Sequence, residues 1–156
     1  MEKIAIFPGS FDPFTVGHES IVIRSLELFD KVIIAVGFNT AKSSFFPLDK
    51  RIAIIKKVFA YEPRVEIISY QGLTIDLCIK LNVKFLLRGL RTAVDFEFER
   101  AIGQSNKAMY PELESVFLLT APEHAHINSS IVRDILYHKG DPSKFLSEAI
   151  DIKDYL

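Results

Sequence analysis

The stretch "KIAIFPGSFDPFTVGH", residues 3–18, passes from a short apolar run into a turn rich in Gly, Pro and Asp, and ends on a histidine where helical spacing begins. The apolar run reads as a strand, the glycines and prolines as punctuation, and the segment from about Gly17 as a helix. A strand handing over to a helix is half of a βαβ unit, and the rest of the chain repeats it. Apolar runs rich in Ile, Val and Phe return roughly every 30 residues, at 31–38 ("KVIIAVGF"), 64–70 ("RVEIISY"), 83–89 ("VKFLLRG") and 115–120 ("SVFLLT"). Continuous apolar runs of this length suit strands covered on both faces, as a parallel sheet requires.

The intervening segments carry helical spacing. In the first, Ile21, Ser25, Leu28 and Phe29 share a face. A second helix is predicted over 47–61 with Ile52, Ile55 and Phe59 buried, a third over 73–82 and a fourth over 93–109. A fifth covers 129–140, stopped by Gly140 and Pro142. The tail, 141–156, reads as one more short helix packed on the edge. Alternation throughout predicts a Rossmann-like, doubly wound α/β fold: one domain over 1–156, a five-stranded parallel sheet with helices on both faces and right-handed crossovers.

Composition bounds the function. The chain has 156 residues, 49% of them hydrophobic, and a formal net charge of -1. That excludes disordered and fibrous classes and gives no general pull toward nucleic acid or anionic membrane, so anion binding must come from clustered cations. Cys78, the one cysteine, sits in an apolar run and reads as a small core residue. The N-terminus lacks the pattern of a signal peptide, and no apolar stretch approaches a membrane span. A reduced, cytoplasmic setting is the expectation.

In doubly wound sheets ligands bind beyond the carboxyl ends of the strands. After the first strand, Gly9 permits close backbone approach, and a helix start near Gly17 and His18 offers unpaired N–H groups and a positive dipole end, which suits phosphate. No G-x-G-x-x-G or G-K-[ST] motif is present. His18 can be protonated, or in its neutral form donate to a phosphoryl oxygen; its plain alternative is to cap or pack the helix start. Lys42, read alone, is a solvated loop lysine, and Glu99 a surface helix charge. Arg88 ends a buried strand and needs an anion, either a ligand phosphate or a carboxylate such as Asp95 or Glu97.

"GSFDPFTVGH" (9–18) resembles the T/HxGH signature of the nucleotidyltransferase superfamily, which includes the class I aminoacyl-tRNA synthetases, and within it the bacterial phosphopantetheine adenylyltransferases. "PLDKR" (47–51), "LLRGLRTAVDFEFE" (86–99), "YPELESVFL" (110–118) and "INSSIVRDI" (127–135) resemble that family's other blocks, in order and spacing, over nearly the whole chain. The "RGLR…DFEFE" block is the most specific. The resemblance implies transfer of the adenylyl group of ATP to 4'-phosphopantetheine, giving dephospho-coenzyme A and pyrophosphate. The demand is for positioned cations and donors, with no protein nucleophile because the acceptor phosphate is itself anionic.

The resemblance also assigns roles. His18 takes the α- and β-phosphates and the transition state. Ser10, often threonine in relatives, touches both phosphates, and Phe11 offers its backbone to the nucleotide. Thr15 stands where the wider superfamily often has histidine. Lys42 bridges the acceptor and α-phosphates, Arg88 holds the acceptor phosphate, and Thr74 lines the pantetheine arm. Gly89, Leu90 and Arg91 line the triphosphate and ribose, and Glu99 contacts ATP. The segment His124, Ala125, His126, Ile127, Asn128, Ser129 and Ser130 resembles the family's I-S-S-[ST] block over the β- and γ-phosphates, with two departures. Asn128 replaces the first serine, though Asn caps a helix as well as Ser, and His124 and His126 replace aromatics, leaving the adenine contacts open. Mg2+ is expected through the nucleotide phosphates, with no protein side-chain ligand. The resemblance implies a homohexamer, and coenzyme A, sharing the pantetheine arm, is a plausible feedback inhibitor. Competing readings are a relative with another acceptor (nicotinamide mononucleotide, a flavin nucleotide or glycerol phosphate), against which "RGLRTAVDFEFE" argues, and a non-catalytic nucleotide-binding module. The latter would have no chemical need of Ser10, His18, Lys42, Arg88, Arg91 and Ser129 together.

Overall fold

The computed structural model describes residues 1–156. Its strands are β1 (Ile4–Gly9), β2 (Lys31–Gly37), β3 (Val65–Tyr70), β4 (Phe85–Leu90) and β5 (Glu114–Leu119). All neighbours are parallel, in the order β3-β2-β1-β4-β5. The helices α1 (Val16–Ser25), α2 (Leu48–Val58), α3 (Thr74–Leu81) and α4 (Ala93–Met109) connect them, and α5 (Ser129–Tyr137) follows β5. The expected alternation holds in full: the inner strands β1, β2 and β4 are covered on both faces, while the edge strands β3 and β5 are only partly buried. Ala5 and Phe7 enter a core of 20 buried residues with α1, α2 and α5, while Ile6 enters a smaller one of 8 with α3.

Three local expectations are corrected. Helix α1 ends at Ser25, so Leu28 leaves the helical face and is 53% exposed, while Leu26 and Phe29 are buried. On α2 the buried face is Arg51, Ile54 and Ile55, with Ile52 only half-buried. The tail forms no α-helix. It makes 3-10 turns at Ser143–Phe145 and Ile152–Tyr155, which deliver Leu146 and Ile152 into the larger core. Lys50 on α2 clamps it by donating to the Tyr155 carbonyl at 2.7 Å. Cys78 is fully buried, and burial pushes its thiol up to about 11, as a core residue requires.

The ladder between β1 and β4 is short. It registers Ala5 with Phe85 and Ile6 with Leu86 and then stops, although both strands run on to Gly9 and Leu90. The strands part at the point where the sheet's order reverses, and a cleft opens between their carboxyl ends.

Candidate active site

A cavity of about 270 Å³ fills that cleft, lined by Gly9, Ser10 and Phe11 after β1, Arg88, Gly89 and Arg91 at β4, and Thr15, His18, Asn128 and Ser129. Two helices begin there. Thr15 caps α1, and Asn128 Oδ1 accepts from Ile131 N at 2.9 Å to cap α5, so asparagine does the work of the serine it replaces. Both positive helix ends therefore face one cavity beside two guanidinium groups.

His18 is fixed from the N-terminal side. Its Nδ1 accepts from the Thr15 backbone N–H at 3.0 Å, completing a capping box in which Thr15 Oγ1 accepts from His18 N. An N–H donor on Nδ1 places the imidazole proton on Nε2, the nitrogen left for the cavity. Phe7, Phe11 and Phe14 surround the ring, with centroids 6.3, 5.1 and 5.2 Å away. This burial, reinforced by the charges of Arg91 and then Arg88, lowers the His18 pKa from 6.5 to about 4. The cavity thus holds a neutral histidine that donates. Its NMR signals are expected to stay nearly flat between about pH 5 and 8 with a protonated Nε2, and a midpoint near the ordinary value would refute this assignment.

The glycine of the turn serves packing. A Cβ on Gly9 would lie 2.8 Å from the Phe11 ring, which is held between Phe7 and Phe14. Phe11 itself takes a positive φ of 48°, uncommon for a bulky residue, and this turns its ring under Gly9 and against His18.

A second cavity, of about 700 Å³, lies on the other side of the β1 turn. Lys42, Thr74, Arg51, Tyr70 and Arg133 line it, and it shares Pro8, Gly9, Ser10 and Arg88 with the first. Arg88 stands at the junction. Its Nη1 donates to the Pro8 carbonyl at 3.0 Å, beyond the end of the β1–β4 ladder. Its Nε and Nη2 form a two-pronged pair with Glu99 of α4, at 2.9 and 2.5 Å. The carboxylate on Arg88 is therefore neither Asp95, which binds Arg91, nor Glu97, which binds Arg100. Glu99 lies one helical turn beyond Asp95, which brings its side chain under β4.

Of the expected site residues, Ser10, Phe11, His18, Gly89, Arg91, Ile127, Asn128 and Ser129 line the first cavity, and Lys42 and Thr74 the second. Others lie apart. Leu90 is buried in the sheet, Glu99 serves Arg88, and the His126 ring packs on Phe145. His124 ends a 3-10 turn near Gly17, followed by Ala125, and Ser130 Oγ accepts from Arg133.

These features have counterparts among known proteins. A family model described as cytidylyltransferase-like matches residues 6–135. The phosphopantetheine adenylyltransferase of Flavobacterium psychrophilum is 52% identical over 149 residues, 96% of this chain and 98% of that one. That of Bacteroides fragilis is 41% identical over 148 residues, 95% of this chain and 98% of that one. The chain belongs to the phosphopantetheine adenylyltransferase family. A solved structure from Vibrio parahaemolyticus, provisionally named nicotinate-nucleotide adenylyltransferase, shares its fold with a TM-score of 0.69 at 22% identity, covering 94% of this chain and 88% of that chain.

The chain holds its site with residues that sequence reading passed over. Asp12 and Arg51 are buried beneath the β1 turn, at 8% and 4% exposure, and Arg133 of α5 donates to the Asp12 carbonyl at 2.8 Å. The available signal was Arg51 at helical spacing with Ile54 and Ile55, a charge on an apolar face.

Proposed function

We propose that the protein joins ATP to 4'-phosphopantetheine by direct in-line attack, releasing pyrophosphate and dephospho-coenzyme A, with residues 1–156 acting as one catalytic domain in the cytoplasm. The observation that carries this reading is the pair of cationic cavities meeting at Ser10 and Arg88, one holding His18 and the other Lys42. In this reading the triphosphate lies in the smaller cavity over the starts of α1 and α5. His18 Nε2–H donates to the α-phosphate, where negative charge accumulates in the transition state. Lys42 and Arg88 hold the acceptor phosphate. An acceptor oxygen forms the new bond to the α-phosphorus as the bond to the β-phosphate bridging oxygen breaks, and no proton need move. The largely apolar recess of about 230 Å³ beside Thr74, Ile102 and Met109 suits the uncharged arm of the acceptor.

The donor set also bears on the metal. No carboxylate lines the cavity that holds His18, and no group of three or more His, Cys, Asp or Glu is clustered elsewhere. A divalent cation, which we take to be Mg2+, fits as a passenger on phosphate oxygens and water. No helix is long and apolar enough to cross a membrane. The exposed apolar side chains of α4 (Val94, Phe96, Phe98 and Ile102), beside the edge strand β5, support assembly of several copies, a homohexamer in our reading. Inhibition by coenzyme A follows from the arm it shares with the acceptor.

Pyrophosphate release tests the reaction. With ATP and Mg2+ it is expected to require 4'-phosphopantetheine and to match dephospho-coenzyme A one for one. ATP binding without release under that acceptor would overturn the reading in favour of a binding module.

A further inference from the structure

Arg51 is 4% exposed, yet no carboxylate lies within ion-pair distance of its guanidinium. Its contacts are main-chain carbonyls from three separate segments. Nη1 donates to Ser10 at 2.7 Å and to Gly37 at 3.0 Å, and Nε donates to Phe46 at 3.2 Å. Asp12 mirrors it with acceptors: one carboxylate oxygen takes Phe45 N at 2.7 Å and the other Phe46 N at 2.8 Å. Burial alone lowers the guanidinium's affinity for its proton, and the nearby Asp12 charge opposes that. A buried cation is costly, and an apolar side chain would suit this place, since its neighbours Ile54 and Ile55 are core.

The position gives the charge a use. Ser10 is common to the two cavities, and Gly37 and Phe46 bracket the loop that carries Lys42. A planar fork with fixed donor directions can hold these carbonyls in one arrangement, whereas a single ammonium on a flexible stem cannot. We propose that Arg51, with Asp12, is a positioning residue that fixes the Lys42 loop against the Ser10 turn, and so sets the distance between the two phosphates that react. The inference rests on the reaction proposed above, in which those cavities hold nucleotide and acceptor. Misplacement of about 1 Å between reacting groups costs about 10²-fold in rate, so each half-site can bind normally while their joint work fails.

The test compares wild type with Arg51→Lys and Arg51→Met in turnover, in calorimetric binding of ATP alone and 4'-phosphopantetheine alone, and in amide exchange across 38–46. Arg51→Lys is expected to lose about 10- to 100-fold in kcat with each separate affinity within about threefold of wild type. The Phe45 and Phe46 amides should exchange about tenfold faster. Wild-type kcat in Arg51→Lys overturns the proposal. So does weakening of both affinities in step with a lowered melting temperature in both variants, which marks a purely structural role. Loss of acceptor affinity with kcat at saturation intact also overturns it, since Arg51 would then be a direct phosphate ligand. A wild-type enzyme that makes no product sinks the proposed reaction instead, and the exchange at 45 and 46 then decides the fate of the Arg51 clamp.

Discussion

His18→Ala is expected to lower kcat by about 10²- to 10³-fold while the affinity for ATP changes little, because one preorganised donor to developing charge is worth about 2.7–4 kcal/mol. In the proposed reaction the helix starts at α1 and α5, with Ser10 and Arg91 in the same cavity, would still hold the ground-state triphosphate, so the loss should fall on the transition state. His18 also closes the capping box on Thr15, and its removal should cost about 1 kcal/mol of stability. Glutamine at this position can keep that backbone bond. His18→Gln should therefore recover the stability and little of the rate, separating the cap from the chemistry. The pH dependence adds a second readout. The folded pKa of about 4 lies below the ordinary 6.5, so between those values the unfolded chain takes up a proton that the native state refuses. The wild type then loses up to about 3 kcal/mol as pH falls from 6.5 toward 4, and nothing from this source above that window. His18→Gln should show a flatter melting temperature over that range. Bound triphosphate should raise the His18 pKa again, since its charge opposes that of Arg91 and Arg88. A kcat within about threefold of wild type in His18→Ala would remove His18 from the mechanism.

The fold was legible because the inner strands, covered on both faces, write themselves as near-continuous apolar runs, and the five strands and five helices fall at those runs and spacings with shifts only at their ends. The cavity at the β1–β4 switch follows from the same pattern, since residues after each strand converge there. Legibility failed where long-range pairing decides. Nothing in the spacing of α4 says which of its acids turns toward β4, so Arg88 could be promised a carboxylate but not Glu99. The tail failed for a related reason. Its apolar residues fit an amphipathic helix, yet Leu146 and Ile152 reach the core from separate short turns. The low pKa of His18 depends on Phe7, Phe11 and Phe14 closing around it, and the positive φ of Phe11 that allows this has no sequence signal outside glycine.

Removing Arg88 should separate two functions that the wild type combines. Its side chain is 31% exposed and that of Glu99 only 12%, so Arg88→Met leaves a largely buried carboxylate without its cation. Breaking such a pair costs about 3 kcal/mol, the lower end of the range for fully buried pairs because Arg88 meets solvent in the cavity. Acceptor binding should suffer comparably: KM for 4'-phosphopantetheine is expected to rise about 10²-fold, since the cation at the junction of the cavities is gone. Glu99→Met strands the opposite charge where phosphate can still reach it. That variant should lose stability but retain acceptor binding to within about tenfold, its deficit arising from a guanidinium no longer aimed by its carboxylate. Replacing both residues with methionine removes both charges and fills similar volume. The double variant should melt near wild type yet turn over no better than Arg88→Met. Stability would then follow whether any charge is left unpaired, and activity would follow Arg88 alone. Melting curves and acceptor KM across the four proteins decide this. If the double variant is as unstable as the sum of the singles, packing rather than charge pairing holds α4 to β4. If Arg88→Met leaves the acceptor KM unchanged, the phosphate is held by Lys42 and its loop, and Arg88 serves the sheet.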